Sequence, residues 1–239
     1  MKVYVGGKEL SRLLTGASCI LIAIWCFAAV TGVTELTNAR DRQDLNALNQ
    51  IIQNYQQNAN TADGQYRLAL AYSYAAEVAM ETHDKRKSEA FAESGLDQIK
   101  KAVATNNDNA EYHRLLGELC GQVIPANPLM GTLKYGQCAR DEIEKAIQLD
   151  PKLAIAYVSR GVGNYYLPAQ MGGGPDLAIK DFDKAIALDP KLAEAYLWKG
   201  VALRKMNKDP EAREALQRAQ QLDPNRLWVK EQLEKTPAH

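Results

Sequence analysis

The segment LDPKLAEAYLWKGVALRKMNKDPEAREALQRAQQLDP, residues 188–224, decides the fold. It begins and ends with Leu-Asp-Pro, and Pro190 and Pro224 stand 34 positions apart. Between them, apolar and small residues recur at three- and four-residue steps, which is typical of two amphipathic helices. A second LDPKLA begins at residue 149, so the segment is one copy of an internal repeat.

This unit resembles the tetratricopeptide repeat, whose 34 residues make two antiparallel helices with small residues at places 8, 20 and 27 and proline at place 32. The residues at places 4, 8, 11, 20, 24, 27, 30 and 32 are Tyr196, Gly200, Leu203, Ala212, Leu216, Ala219, Leu222 and Pro224. Small side chains at these places allow two helix backbones to approach closely. The resemblance implies an all-α, right-handed helical solenoid.

Earlier units follow the same pattern with interruptions. The unit with Gly161 at place 8 contains five extra residues, the unit with Gly117 contains ten, and the weakest unit, with Ala71, contains about twelve. We therefore expect three to four repeats over residues 64–224. Residues 35–63 are expected to form an N-terminal helix or linker, and residues 225–239 a capping helix and tail.

The first 34 residues differ from the rest. Leu13–Val33 contains 21 residues without a charge, long enough for a helix to span a bilayer. Because Lys2, Lys8 and Arg12 precede it, we expect the repeat domain on the extracytoplasmic side of a membrane. Small residues at its end also fit a cleaved signal peptide, which would make the domain secreted or periplasmic.

The charge balance argues against a nucleic-acid partner. The chain has 29 basic and 29 acidic residues, so no net field attracts it to a polyanion. Period-two alternation of apolar residues is scarce, which argues against a sheet.

In the tetratricopeptide family, the first helix of each unit lines a concave groove that binds protein segments. Carried over to this sequence, the groove positions predict a partly apolar partner-binding surface. Its residues are Leu68, Tyr72, Arg114, Glu118, Ile155, Val158, Val162, Tyr165, Leu197 and Val201. An apolar patch of this kind indicates either a bound partner or coverage by neighbouring helices or insertions, and the sequence leaves both open.

The favoured function is a non-enzymatic scaffold for protein–protein interaction. Two alternatives stay open: a carrier of an apolar small molecule in a transport system, and an architectural subunit of an envelope complex. Catalysis has little support, because the three histidines are far apart and the sequence has no HExxH or CxxC motif. We expect no cofactor and no metal site.

Two insertions carry further predictions. MGGGPD, residues 171–176, is interpreted as a long turn before a helix rather than a phosphate loop, because the following Gly-Lys-Ser/Thr is missing. The insertion at residues 124–136 is expected to pack over the scaffold or to contact a partner. Cys120 and Cys138 bracket it, and they form either a disulfide or two buried thiols.

Overall fold

The computed structural model describes residues 34–237. This part of the chain is helical and contains no strand, which confirms the all-α prediction. Its helices are α1 (described over residues 34–41), α2 (Leu45–Gln56), α3 (Ala62–Glu81), α4 (Lys85–Thr105), α5 (Ala110–Val123), α6 (Pro128–Leu149), α7 (Ala154–Tyr166), α8 (Pro175–Leu188), α9 (Ala193–Lys205), α10 (Asp209–Leu222) and α11 (Leu227–Glu234). Over residues 34–237, no helix is both long and apolar enough to cross a membrane. The predicted membrane or signal segment at Leu13–Val33 lies outside the described residues.

The helices from α3 to α10 pack as consecutive hairpins. α3 contacts α4, α5 contacts α6, α7 contacts α8 and α9 contacts α10. The first helices of successive hairpins also contact one another, α3 with α5, α5 with α7 and α7 with α9. This arrangement is a stack of tetratricopeptide-type units in which each hairpin buries its apolar face against the next.

Glycines stand where the two helices of a hairpin cross. A Cβ atom on Gly117 would lie 2.7 Å from Ile143 Cγ1, and one on Gly200 would lie 2.9 Å from the Ala212 carbonyl oxygen. The small residue expected at place 8 is therefore required by the close approach of the paired helix.

Asp-Pro pairs follow three of the four second helices, α6, α8 and α10. After α6, Asp150 Oδ1 accepts a hydrogen bond from the Lys152 amide at 2.9 Å, and after α8 Asp189 does the same for Lys191 at 2.9 Å. These bonds hold the chain in a tight turn before the next first helix. The repeated Leu-Asp-Pro motif is thus a helix stop followed by a turn.

The extra residues of the repeats are accommodated differently in each unit. In the first unit they lengthen α3 to 20 residues and α4 to 21. In the second they form a 3₁₀ turn at Ile124–Ala126 and the first turns of α6. In the third they form the loop between α7 and α8, in which Gly172 and Gly174 have φ values of 84° and 111° that favour glycine.

Residues 35–63, expected to form a helix or linker, are divided into two helices. α1 and α2 are separated by a turn in which Gln43 has a φ of 53°. Leu36, Leu48 and Ile52 from this hairpin pack with α3 in one buried cluster. At the other end of the chain, Val229 of α11 is buried with Leu197 and other residues of the last hairpin.

Candidate binding site at the centre of the stack

A cavity of about 330 Å³ lies where α1 meets the first helices of the four repeat hairpins, α3, α5, α7 and α9. We call it the central cavity. Its lining combines charged and aromatic side chains with a few aliphatic ones: Arg40, Tyr66, Leu70, Tyr74, Glu111, Arg114, Ile155, Leu192, Ala193, Glu194 and Asp223. Sites with this mixture can position a ligand through a small number of directed polar contacts.

Arg114 is the buried charge on the α5 side of the cavity. Its guanidinium donates to Glu111 at 2.7 Å and to Glu118 at 2.5 Å. Glu118 also accepts hydrogen bonds from Ser73 at 3.0 Å and from Ser159 at 3.2 Å. Since these serines belong to α3 and α7, the Arg114–Glu118 pair joins three successive first helices and fixes this wall of the cavity.

Arg40 of α1 is the second arginine of the cavity lining. It pairs with the neighbouring Asp41 at 2.8 Å and lies 4.7 Å from the centre of the Tyr74 ring. Its Nη1 is 3.9 Å from a carboxylate oxygen of Glu194 in α9. Burial raises the pKa of Glu194, and the nearby Glu77 raises it further. The Arg40 side of the cavity therefore has an unfavourable concentration of carboxylates.

Tyr66 and Tyr74, two of the three tyrosines of α3, complete the polar lining. Tyr66 stacks on Tyr112 with 5.2 Å between ring centres. Burial raises the pKa of Tyr66 to about 12, so its hydroxyl remains protonated at neutral pH. Burial also raises the pKa of Tyr74. Both hydroxyls are neutral groups that can donate a hydrogen bond to a ligand.

The two ends of the stack meet beside this cavity. Arg226, in the turn before α11, is only 1% exposed and reaches α3, where it donates to Glu77 at 2.7 Å and to both carboxylate oxygens of Glu81. Gln43, after α1, bridges Glu81 and Glu231 of α11 at 3.1 Å each. We call Asp41, Gln43, Glu77, Glu81, Arg226 and Glu231 the closing cluster.

The structure places the ten predicted groove residues in several environments. Of these, Arg114 and Ile155 line the central cavity, and Glu118 is bonded to Arg114. Tyr72 is half-buried, and its hydroxyl accepts a hydrogen bond from Gln56 at 2.8 Å. Val162 and Tyr165 are half-buried at the α7–α9 contact. Leu68, Val158, Leu197 and Val201 are buried.

The burial of those four residues corrects the expectation of an exposed apolar groove. Leu68 packs with Leu48 and Ile52 of α2, and Leu197 and Val201 pack with Val229 of α11. Helices α2 and α11 thus cover part of this surface, and coverage by neighbouring helices was the second of the two interpretations left open by the sequence. In α3 the cavity face consists instead of Tyr66, Leu70 and Tyr74, because residues two positions apart point to different sides of a helix.

An aromatic cluster that the sequence analysis missed in part joins α7, α9 and α11. Tyr165 and Trp198 have ring centres 5.9 Å apart, and Trp198 and Trp228 are 5.1 Å apart. Tyr166 is 64% exposed and packs at the edge of Tyr165. Trp198 lies one position after the predicted groove residue Leu197, so only the aromatic residue type itself could have indicated it.

The insertion at residues 124–136 keeps an apolar surface in contact with solvent. Leu129 is 79% exposed and Leu133 is 78% exposed on the first turns of α6. Cys120 and Cys138 on either side of the insertion are joined by a disulfide, with 6.1 Å between the Cα atoms. The bond joins the middle of α6 to the last turn of α5.

The described residues contain no group of three or more His, Cys, Asp or Glu side chains that could hold a metal ion. His113 is buried and is held by Glu142 at 2.5 Å and by the Asn107 carbonyl oxygen at 2.8 Å. It therefore joins α5 to α6 and to the turn before α5.

The stacked hairpins with small residues at their crossings define a tetratricopeptide-repeat protein, and the tetratricopeptide profile matches residues 193–226. A thermophilic tetratricopeptide-repeat protein of Thermus thermophilus has a similar fold, with a TM-score of 0.59 at 18% identity over 86% of this chain and 95% of that one. More specifically, residues 30–168 match the family described as regulator of microtubule dynamics protein 1-3. This match covers more than half of the chain, and the chain belongs to that family.

Curated relatives share only part of their length with this chain. Regulator of microtubule dynamics protein 3 of Bos taurus is 32% identical over 96 residues, which is 40% of this chain and 20% of the relative. The Xenopus laevis protein is 31% identical over the same shares. The chain thus aligns with about a fifth of each of these relatives.

Proposed function

We propose that this protein is a non-enzymatic scaffold that binds a segment of a partner protein in the central cavity. The observation that carries the proposal is the lining, which unites side chains from α1 and from the first helices of all four hairpins. Tetratricopeptide stacks present such surfaces for partner binding, and here buried ion pairs hold the cavity walls in place. Arg40, Arg114, Tyr66 and Tyr74 supply donors and aromatic faces for a peptide.

Site-specific photocrosslinking in cells tests this function. A benzoylphenylalanine at Ile155 reports on the cavity, and one at Leu177 of α8, exposed but outside the cavity lining, is the matched control. We expect a protein that crosslinks at position 155 and not at position 177. Identical crosslinked species at both positions would reject the cavity as the binding site.

The proposed location is an extracytoplasmic space, with the domain anchored through residues 13–33 or released after their cleavage. The 21 uncharged residues behind a basic N-terminal flank support this proposal. The Cys120–Cys138 disulfide supports it as well, because such bonds persist in oxidising compartments. Protease protection of the full chain in intact cells tests it, and digestion of the domain only after lysis of the inner membrane is the result that would reject it.

Microtubule binding is a second candidate function, and family membership is the observation that favours it. The family is described as regulators of microtubule dynamics, and the matched residues 30–168 include the α1–α2 hairpin and the first two repeat hairpins. Co-sedimentation of the full chain with polymerised tubulin tests this candidate. Equal pelleting with and without microtubules would reject it.

A further inference from the structure

Arg226 departs from the repeat that otherwise governs its surroundings. The sequences after the last three second helices are LDPKLA, LDPKLA and LDPNRL, so Arg226 stands where the two preceding units have Leu153 and Leu192. Leu192 lines the central cavity. Leu153, Leu192 and Arg226 occupy the same position in three successive turns, and Arg226 is the one that contacts α3. A guanidinium thus replaces an aliphatic side chain there.

The guanidinium of Arg226 is enclosed by groups from the other end of the chain. Nη2 lies 2.7 Å from Glu77 Oε1 and also bonds to Glu81, while Nη1 donates to Glu81 Oε2 at 3.1 Å and to the Arg40 carbonyl oxygen at 3.4 Å. The partners of both terminal nitrogens therefore come from α1 and α3. This two-pronged contact is the geometry by which proteins recognise a guanidinium group.

The fit of Arg226 is incomplete. Its Nε makes no hydrogen bond within the described residues, and the facing carboxylate of Asp41 is 3.8 Å away. A buried donor without an acceptor costs free energy. The pocket therefore leaves one of the donors of Arg226 unsatisfied.

Negative charge exceeds positive charge around this pocket. Four carboxyl groups lie beside two arginines: Asp41, Glu77, Glu81 and Glu194 lie beside Arg40 and Arg226. Without Arg226, only Arg40 would neutralise these carboxylates. Buried carboxyl groups are either protonated or paired with a cation, so the ionised pocket favours a positively charged occupant.

We propose that Asp41, Glu77 and Glu81 form a guanidinium-binding pocket that Arg226 occupies in the closed stack and that an arginine of a partner segment enters by displacing it. The inference rests on the proposed binding of a partner in the central cavity, whose lining includes Arg40, next to Asp41, and Glu194. A segment in the cavity is therefore close enough to place one side chain in the pocket. The partner chemistry is an arginine-bearing protein segment.

Chemical rescue tests the pocket without any partner. The Arg226→Ala variant of the full chain is heated with arginine amide or with lysine amide at equal ionic strength, and its melting temperature is recorded. We expect arginine amide to raise the melting temperature of Arg226→Ala by about 2–4 °C more than lysine amide does, because only the guanidinium fits both carboxylates. Adding Glu81→Gln to the variant should abolish the difference.

Arg213→Ala is the matched control. Arg213 also holds the C-terminal segment, but it donates to the carbonyl oxygens of Leu233 and Thr236 rather than to carboxylates. Its removal should destabilise the same end of the chain without creating a site for arginine amide. Equal rescue of the two variants, or no rescue of Arg226→Ala, would overturn the proposal. If Arg226→Ala does not fold, Arg226→Leu, which restores the residue of the preceding units, takes its place with the same expected and contrary results.

Displacement is tested with labelled peptides. Fluorescence anisotropy measures the binding of an alternating alanine–arginine hexapeptide and of its lysine counterpart to the wild type and to Arg226→Ala. We expect the arginine peptide to bind Arg226→Ala about tenfold more tightly than the wild type, because the internal competitor is gone. Equal affinity for both proteins would overturn the displacement step, even where photocrosslinking at Ile155 still identifies a partner. If no protein crosslinks at position 155, but the arginine peptide still binds Arg226→Ala about tenfold more tightly than the wild type, the proposed function alone is rejected.

Discussion

Gly161 in α7 lies directly against the ring of Phe182 in α8. A Cβ atom at Gly161 would sit 2.8 Å from Phe182 Cδ1, and Phe182 is fully buried. The same helix contains Gly163, around which a Cβ atom would meet nothing within 4 Å. The two glycines differ in what surrounds them, although they are two residues apart in one helix.

Alanine substitution should therefore have opposite effects at the two positions. Gly161→Ala should destabilise the protein by about 1–3 kcal/mol, because the buried ring must shift. Gly163→Ala should stabilise it by up to about 1 kcal/mol, because alanine favours a helix interior. Urea unfolding of both variants measures the difference. Destabilisation of equal size at both positions would contradict the packing described here.

Glutamate at Val158 tests the corrected view of the predicted groove. Because Val158 is buried between α7 and its neighbours, Val158→Glu should lower the free energy of unfolding by roughly 3 kcal/mol or more. Val162→Glu, one turn later and half-buried, should cost about 1 kcal/mol. Circular dichroism during urea unfolding checks both values. A fully stable Val158→Glu protein would support an exposed apolar groove instead.

The closing cluster should make the stability of the protein depend on pH. Burial raises the pKa of Glu81 to about 8, and the neighbouring Glu77 contributes to the rise. The folded protein thus binds a proton that the unfolded chain releases near pH 4.5. The stabilising contribution is fully present below that pH and is lost as pH rises through about 8. Burial raises the pKa of Asp41 as well, so it acts in the same direction.

Glu81→Gln removes this titration. We expect the variant to lose less stability than the wild type between pH 5 and about pH 8.5 in urea unfolding. Glu93→Gln, at an exposed position in α4, is the matched control and should retain the wild-type slope. Parallel slopes for Glu81→Gln and the wild type would show that Glu81 does not govern the dependence.

Reduction of the Cys120–Cys138 disulfide should weaken the domain. The two residues are 18 positions apart, and a bond that closes a loop of this length contributes about 3 kcal/mol in the chain-entropy account. The Cys120→Ala/Cys138→Ala double variant should lose a similar amount and should not respond to reductant. Alkylation of these two cysteines in the native, unreduced protein, seen as a mass shift, would contradict the bond.

The sequence was sufficient to predict the hairpins because each one depends on local spacing. Gly117, Gly161 and Gly200 recur at the crossing points, and the Asp-Pro pairs end the second helices. These features involve residues within one unit, so they are visible as a period in the chain. The tetratricopeptide prediction is confirmed for the same reason.

The site was harder to predict because it depends on how several units are stacked. The register of the weakest unit assigned Leu68 and Tyr72 to the groove, whereas Tyr66, Leu70 and Tyr74 line the cavity. This unit has Asn107 where the later units have proline, and α3 is longer than a standard first helix, so the count of positions has no landmark here. A signal for the closing cluster was nevertheless present, since Arg226 interrupts the leucines at 153 and 192.

The contact between Arg226 and α3 also fixes how many hairpins this protein can contain. An open stack tolerates duplication or loss of a unit, because each unit touches only its neighbours. Here an additional hairpin between α8 and α9 would separate Arg226 from Glu77 and Glu81. The arginine and the two glutamates would then be left without their ion-pair partners. Duplication of a hairpin within the array would therefore destabilise the protein. Because the closing cluster joins α1 and α11 to α3, we also expect the two ends of the stack to unfold together.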